Sequence, residues 1–285
     1  MLTKFQITPM QSELELFKDM LTGAVYDESA WTPVLNETLS PTASLPGRLK
    51  HYVLSGLAKR LNRSGITMLR RQDYLAEQRE NGLDWPLVGY SMIGRKRLDH
   101  LQVCAETVLA ERIPGDFIET GVWRGGSCML IKKILNLNSA QDRTVWLADS
   151  FQGLPAPKNE RDGFDLTHVS MLAVSADQVR KNFERFGLLD ERVRFLEGWF
   201  ADTLPTAPLS KLALLRLDGD MYHSTMDALV HLYDRVSPGG FVIIDDYHSW
   251  ESCRRAVHDF FATRTDQPNP EPIDSSSVFW RVGSN

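Results

Sequence analysis

The spacing of apolar residues divides this chain in two. Up to about residue 112 they recur at helical intervals: Leu14, Leu16, Phe17, Met20, Leu21 and Val25 across 11–26, then Leu98, Leu101, Val108 and Leu109 across a helix from about 94 to 111. Between these, 27–47 is broken up by Pro33, Asn36, Pro41, Pro46 and Gly47 and reads as a loop, the start of an insertion at about 27–65. Pro86 to Ile93 reads as a second loop that feeds the later helix, and Pro114-Gly115 stops that helix.

From residue 116 short apolar runs alternate with helical stretches. Strands are expected at 117–119, 145–149, 193–197, 214–218 and 240–245, and helices at 126–137, 176–187, 222–236 and 250–263. A long polar stretch, 151–175, interrupts the alternation, and two close strands near 271–273 and 277–282 end it. Such alternation builds a mostly parallel, doubly wound α/β sheet with helices on both faces, and the final pair suggests an antiparallel hairpin at one edge. The expected organisation is an N-terminal helical layer or lid, 1–112, on a core of 113–285.

Composition narrows the class. The net charge of -5 over 285 residues carries no overall nucleic-acid footprint, and no apolar run approaches the length of a membrane span. The first residues lack the charged-then-apolar design of a secretory signal. Cys104, Cys128 and Cys253 are odd in number and far apart, which argues for reduced, mostly buried thiols and a cytoplasmic protein. Residues 48–71 hold Arg48, Lys50, Lys59, Arg60, Arg63, Arg70 and Arg71 with no acid, and Leu49, Val53, Leu57 and Leu61 recur every four. The expectation is a helix packed on the core with its basic face in water; weak contact with an anionic membrane is the alternative.

The chemistry concentrates at strand ends. Leu214-Leu-Arg-Leu-Asp218-Gly-Asp220 and Gly240-Phe-Val-Ile-Ile-Asp245-Asp246 are apolar runs that stop in carboxylates. In open α/β sheets ligands sit outside the carboxyl ends of the strands, so Asp218, Asp220, Asp245 and Asp246 should share a crevice. Four acids together repel unless a cation or shared protons offset the charge. Taken singly, Asp218-Gly-Asp220 could be a turn and Asp245-Asp246 a helix cap. The first strand ends in Glu119-Thr-Gly121-Val-Trp-Arg-Gly125-Gly126-Ser127, a Gly-rich turn that departs from the dinucleotide fingerprint. Asp149 ends the next strand, where an acid commonly accepts from ribose hydroxyls, or else caps a turn with Ser150.

Four segments in order, Glu119–Ser127, Asp149-Ser-Phe-Gln-Gly-Leu-Pro155, Leu215-Arg-Leu-Asp-Gly-Asp-Met-Tyr222 and Pro238–Tyr247, resemble the macrocin O-methyltransferase family. Ser91–Asp99 and Leu16–Thr22 are similar as well, so the resemblance covers nearly the whole chain outside 27–65. It implies a Rossmann-like class I methyltransferase fold with a seven-stranded sheet, S-adenosylmethionine as methyl donor, and a divalent cation, usually Mg2+. By the same resemblance Asp218, Asp245 and Asp246 match metal ligands, and Asp220 the general base. Glu119, Thr120, Gly121 and Ser127 match the methionine-side pocket, Asp149 and Ser150 the ribose contact. Ser91, Met92 and Ile93 match a segment over the cofactor, and Gly198 with Trp199 the neighbourhood of the adenine. The expected substrate is a sugar hydroxyl of a glycosylated natural product or glycolipid, methylated by a homo-oligomer. Two departures bear on the acceptor: His223 stands where the family commonly has Glu, and the insertion falls in the acceptor region.

The expected mechanism follows from alcohol chemistry. A hydroxyl with a pKa near ~15.7 is a poor nucleophile until a cation stabilises its deprotonated form and a carboxylate takes the proton. All-carboxylate ligation selects a hard ion. A catechol-type methyltransferase acting on an aromatic vicinal diol would use the same site. A non-catalytic nucleoside-binding protein and a nicotinamide oxidoreductase are the readings from other classes. His168 and His223 are further candidate proton carriers.

Overall fold

The computed structural model describes residues 8–34, 44–64, 66 and 68–283. Helix α1 spans Pro9–Thr22. A reciprocal Thr8–Gln11 capping box starts it, and Gly23 ends it in the left-handed region at φ 74°. It buries Leu14, Phe17 and Leu21 from the expected apolar set, whereas Leu16 is exposed and Val25, also exposed, lies beyond the helix end. Part of the stretch expected as loop at 27–47 is strand: β1 (Ala30–Pro33) pairs antiparallel with β2 (Leu69–Gln72), Ala30 opposite Gln72. The chain between them carries α2 (Leu45–Asn62), begun by Ser44, whose hydroxyl accepts from Gly47 N. The basic segment is therefore helix only to about residue 62, and 69–72 is strand.

Helix α2 also corrects the expectation that it packs on the core. Leu49, Val53 and Leu57 are exposed together with Leu45 and Tyr52, while Ala58 is buried. The apolar stripe therefore lies on the outer side of the helix, beside the basic residues. No helix among the described residues is long and apolar enough to cross a membrane.

A short α3 (Ala76–Glu80) and the long α4 (Gly94–Ala110) complete the layer. Arg79 fastens it. Its guanidinium, 2 % exposed, donates to Asp84 Oδ1 at 2.7 Å and to the carbonyl oxygens of Thr22 and Glu28. A buried charge is tolerated because every arm has an acceptor.

The core follows as β3 (Asp116–Thr120), α5 (Gly126–Leu137), β4 (Val145–Asp149), α6 (Ala176–Arg185), β5 (Val193–Glu197), α7 (Phe200–Thr203), β6 (Leu212–Leu217), α8 (Tyr222–Leu232), β7 (Val236–Ile244), α9 (Glu251–Phe261), β8 (Glu271–Pro272) and β9 (Val278–Arg281). The seven-stranded sheet has the order β5-β4-β3-β6-β7-β9-β8, parallel through β7, with β9 and β8 antiparallel at the edge. Every residue of β6 is buried, as a strand covered on both faces requires. One face packs on α1, α4 and α5 through Leu14, Leu98, Leu101 and Met129, so the N-terminal layer shares one core with the sheet. The other packs on α8 and α9 through Leu229, Val257 and Phe261. All three cysteines are free and buried.

The strand order reverses between β3 and β6, which opens the crevice that ligands use in such sheets. Thr120 is in register with Ala148 on one side and Leu217 on the other, and Leu217 with Ile244. The next residue on each strand is Gly121, Asp149, Asp218 and Asp245, so the register alone brings these four to one level.

His100 on α4 packs against the Phe279 ring, centroids 4.1 Å apart. Burial pushes its imidazole down from the usual range to about 4. Between an unfolded-state pKa of about 6.5 and that value, the unfolded chain takes up a proton that the folded chain refuses. Stability should therefore fall as pH drops through this window. His100→Leu is expected to flatten the decline between pH 7 and 5, read as the shift of urea midpoints in the two proteins.

Candidate active site

Arg216, fully buried on β6, organises the carboxyl ends of the strands. It is the register neighbour of Glu119 on β3 and stands two residues before Asp218, on the same side of the strand. Nη1 donates to Glu119 Oε1 and to Asp218 Oδ2, the latter at 2.8 Å, and Nη2 donates to Asp245 Oδ1. The other oxygen of Asp245 accepts from Arg97 Nη1 of α4 at 2.6 Å, and Arg97 Nε also donates to Asp274 at 2.7 Å.

Two guanidiniums thus face six carboxylates: Glu119, Asp218, Asp220, Asp245, Asp246 and Asp274. The mismatch shows in the acidities. Asp245 loses its solvent, yet Arg216 and Arg97 hold its pKa below the usual carboxylate range. Burial pushes Asp218 up, and the charge of Asp245 adds to that push. Burial raises Asp246 well above its ordinary value, with Asp220 and Asp218 as the next causes. Asp220 rises to about 7 through lost solvation and the charges of Asp218 and Asp245. Like charges crowded in a largely buried crevice resist joint ionisation unless more positive charge is supplied.

Asp218, Asp245 and Asp246 each present an oxygen within 4.8 Å of the others. Asp246 Oδ2 is buried with no hydrogen-bond partner, an acceptor left open in a place where water cannot satisfy it. The donor set is all oxygen and over-supplied with negative charge, which fits a hard divalent cation.

Asp220 stands beside this set in the left-handed region, at φ 57°. A non-glycine residue there is strained and must be held by its surroundings. Trp250 Nε1 donates to its Oδ1 at 3.0 Å, and Ser252 Oγ to its carbonyl oxygen at 3.2 Å.

A cavity of about 410 Å³ joins the acids to the rest of the crevice, a size suited to a small-molecule ligand. Ser91, Met92, Ile93, Glu119, Gly121, Ser127, Asp149, Ser150, Trp199 and all four aspartates line it. Thr120 and Gly198, also expected there, do not. Thr120 is fully buried behind the turn, and Gly198 spends its amide on the carbonyl oxygen of Asp149. The segment of Ser91 is stitched in place by two amides, Tyr90 N and Ser91 N, that donate to Leu21 O, while Tyr90 O accepts from Gly126 N.

The Gly-rich turn answers to packing as well as to the cavity. A Cβ on Gly121, at φ 90°, would meet Asp218 O at 1.8 Å, and one on Gly126 would meet Tyr90 O at 2.5 Å. Only glycine lets β3 pass β6, and α5 pass the 90–91 segment, this closely. Asp149 is fixed by the same turn: Oδ2 accepts from Val122 N and Oδ1 from Phe151 N, both at 2.7 Å. Its role as a local cap is thus realised within the cavity wall. Ser127 Oγ and Cys128 Sγ both donate to the Glu119 carboxylate. Glu119 therefore serves Arg216 and the start of α5 at once.

The two candidate histidines both lie outside the cavity lining. His168 is exposed. His223 pairs through Nδ1 with buried Asp162 at 2.9 Å, and its amide donates to the same carboxylate at 3.0 Å. A Glu at 223 would set like charges in contact, so the departure from the family pattern is matched by Asp162 in the 151–175 segment.

Arg216, Arg97 and Trp250 belong to the site and are absent from the residues expected from the sequence. The run Leu214-Leu-Arg-Leu carried the clearest signal, because a lone charge in a doubly buried strand must have partners. Arg97 falls in line with inward Leu101 and Cys104, a similar signal on a helix.

The sequence model described as Macrocin-O-methyltransferase (TylF) matches residues 10–282. The chain belongs to the macrocin O-methyltransferase family. It is 52% identical over 211 residues, 72% of this chain and 80% of the relative, to the 8-demethyl-8-(2,3-dimethoxy-alpha-L-rhamnosyl)-tetracenomycin-C 4'-O-methyltransferase of Streptomyces olivaceus. It is 48% identical over 215 residues, 73% of this chain and 84% of the relative, to the mycinamicin III 3''-O-methyltransferase of Micromonospora griseorubida. The solved structure of the O-methyltransferase NovP superposes with a TM-score of 0.80 at 40% identity, covering 96% of this chain and 99% of that one. The protein is accordingly an S-adenosylmethionine-dependent O-methyltransferase of Rossmann-like class I fold. The non-catalytic and nicotinamide readings give way to it.

Arg216→Met tests the organising role of the guanidinium. Glu119 and Asp245 would lose a buried counter-charge, and the expected loss of stability is about 3–5 kcal/mol, read from urea unfolding. Arg216→Lys should recover part of it, since one ammonium lacks the planar fork that serves three acids.

Proposed function

We propose that this enzyme methylates a sugar hydroxyl of a glycosylated natural product and that it depends on a hard divalent cation such as Mg2+. The observation that carries the cation is the Asp218–Asp245–Asp246 cluster, with its unpartnered Asp246 oxygen, set beside a fourth acid in the same cavity. The acceptor class rests on the relatives, whose names place their methyl groups on 4' and 3'' oxygens, one of them with a rhamnosyl unit in the name. The cavity supports that reading with a mixed lining, apolar at Leu154, Pro155, Leu166 and Leu172 and polar at Ser249, Ser275 and Ser276. Such a mixture suits a sugar that carries a larger apolar body.

When bound, the cation would make an alcohol more acidic and S-adenosylmethionine would supply the methyl group. The chain provides the remainder. Asp218, Asp245 and Asp246 would hold the cation, each through one oxygen. Arg216 and Arg97 keep Asp245 ionised and aimed, and Arg216 anchors Asp218 from the opposite side. Asp220 accepts the hydroxyl proton, which a carboxylate near neutrality can do as general base. Asp149 and Ser150 offer acceptors toward ribose hydroxyls, with Trp199 beside the base and Ser91 to Ile93 closing the cavity over them. Fixed amides hold Asp149 before any ligand arrives, so little reorganisation is left for the reaction.

Methyl transfer to a panel of deoxysugar glycosides and aromatic diols, read by mass, tests both halves of the proposal. The glycosides should be methylated, EDTA should abolish the reaction, and Mg2+ should restore it. Asp218→Asn should lower the rate by about a hundredfold or more. A rate indifferent to EDTA would remove the cation from the proposal, and preference for an aromatic diol would move the acceptor to the catechol class.

A further inference from the structure

The indole of Trp250 touches the proposed base, and Trp250 also lines the cavity. It stands just before α9, with its amide donating to Asp246 O at 3.0 Å. One short loop thus carries Asp245, Asp246 and Trp250. The indole N–H donates to Asp220 Oδ1 at 3.0 Å, while the ring lines the cavity. Phe164, from the 151–175 segment, does not line the cavity but packs on the indole, ring centroids 4.2 Å apart and 36° between planes.

The Phe164 segment is itself pinned. Asp162, two residues earlier, is buried and accepts from Lys158 N as well as from His223. This places the segment against the start of α8, the helix that Asp220-Met221 leads into. Asp220 needs such holding, because its left-handed backbone would otherwise relax and swing the carboxylate.

We propose that Trp250 is a positioning residue for Asp220, aimed by Phe164, and that its ring also forms part of the acceptor platform. The inference rests on the reading of Asp220 as general base. A proton acceptor must lie within hydrogen-bond reach of its hydroxyl in a fixed direction, and displacement by an ångström can cost a large part of the rate. The indole N–H fixes one oxygen of Asp220 and leaves the other for the proton. An indole face is also a broad apolar surface with a polar handle, suited to the C–H face of a sugar ring.

The test is a double-mutant cycle on kcat with Trp250→Phe, which keeps a ring and removes the N–H, and Asp220→Asn. Trp250→Phe is expected to lower kcat about tenfold, with KM for acceptor and for S-adenosylmethionine within about twofold of the parent. In the double variant kcat should fall no further than in Asp220→Asn alone, because the N–H acts through that carboxylate. Phe164→Leu keeps the N–H but frees the indole and should lower kcat by about threefold, which keeps the inference testable should Trp250→Phe fold poorly. Calorimetric affinity for S-adenosylmethionine, unchanged in each variant, shows that the fold is intact. Additive losses in the cycle, or kcat within twofold of the parent in both Trp250→Phe and Phe164→Leu, would overturn the positioning role while leaving Asp220 as base. Full activity in Asp220→Asn would instead overturn the base reading, and this inference with it.

Discussion

A guanidinium with no access to water is the constraint around which this site is built. Arg216 cannot shed its charge, so each of its arms must find an acceptor, and Glu119, Asp218 and Asp245 supply them. The reverse dependence also holds: Glu119 and Asp245 are nearly as buried, Glu119 pairs with Arg216, and Asp245 shares Arg216 with Arg97. Neighbouring strands β3, β6 and β7 are therefore tied together by charge as well as by backbone pairing. A net excess of acid remains after that tie is made, and the excess falls on Asp218, Asp220 and Asp246. A catalytic site can be seen as what this leftover charge is used for.

The same arrangement connects distant parts of the chain to the reaction. Arg97 reaches Asp245 from α4, which packs on the sheet together with α1, and α1 holds the 90–91 segment by its last turn. On the opposite side, the 151–175 segment reaches Asp220 through Phe164 and Trp250. The cavity is thus walled in part by segments that lie outside the parallel sheet. The sheet ends set the chemistry, and the surrounding segments set what can approach it.

Most of the fold was legible from hydrophobic spacing, because the β3-to-α9 units obey strong rules: buried runs make strands, and the next helix must cover them. The four strand-end acids were legible for the same reason, since a strand's end fixes where its next residue goes. Arginine was the blind spot. Arg216 and Arg97 looked like ordinary charges in a run and on a helix, and their meaning depends on which acids the register brings opposite. Trp250 was invisible because its partner Asp220 lies 30 residues away in sequence. Helix α2 failed for the opposite reason. Its four-residue spacing names an apolar face, but periodicity does not say whether anything covers that face, and in this chain Leu49 and Val53 are exposed.

The central claim is that Asp218, Asp245 and Asp246 bind a divalent cation in a site where acids outnumber the arginines. The direct measurement is Mn2+ binding followed by electron paramagnetic resonance, with Mg2+ as competitor, on the unaltered protein and on Asp246→Asn. One tight site per chain, displaced by Mg2+ and lost or severely weakened in Asp246→Asn, is the predicted result. Binding of equal strength in both proteins, or no site at all in the presence of S-adenosylmethionine, would contradict the account.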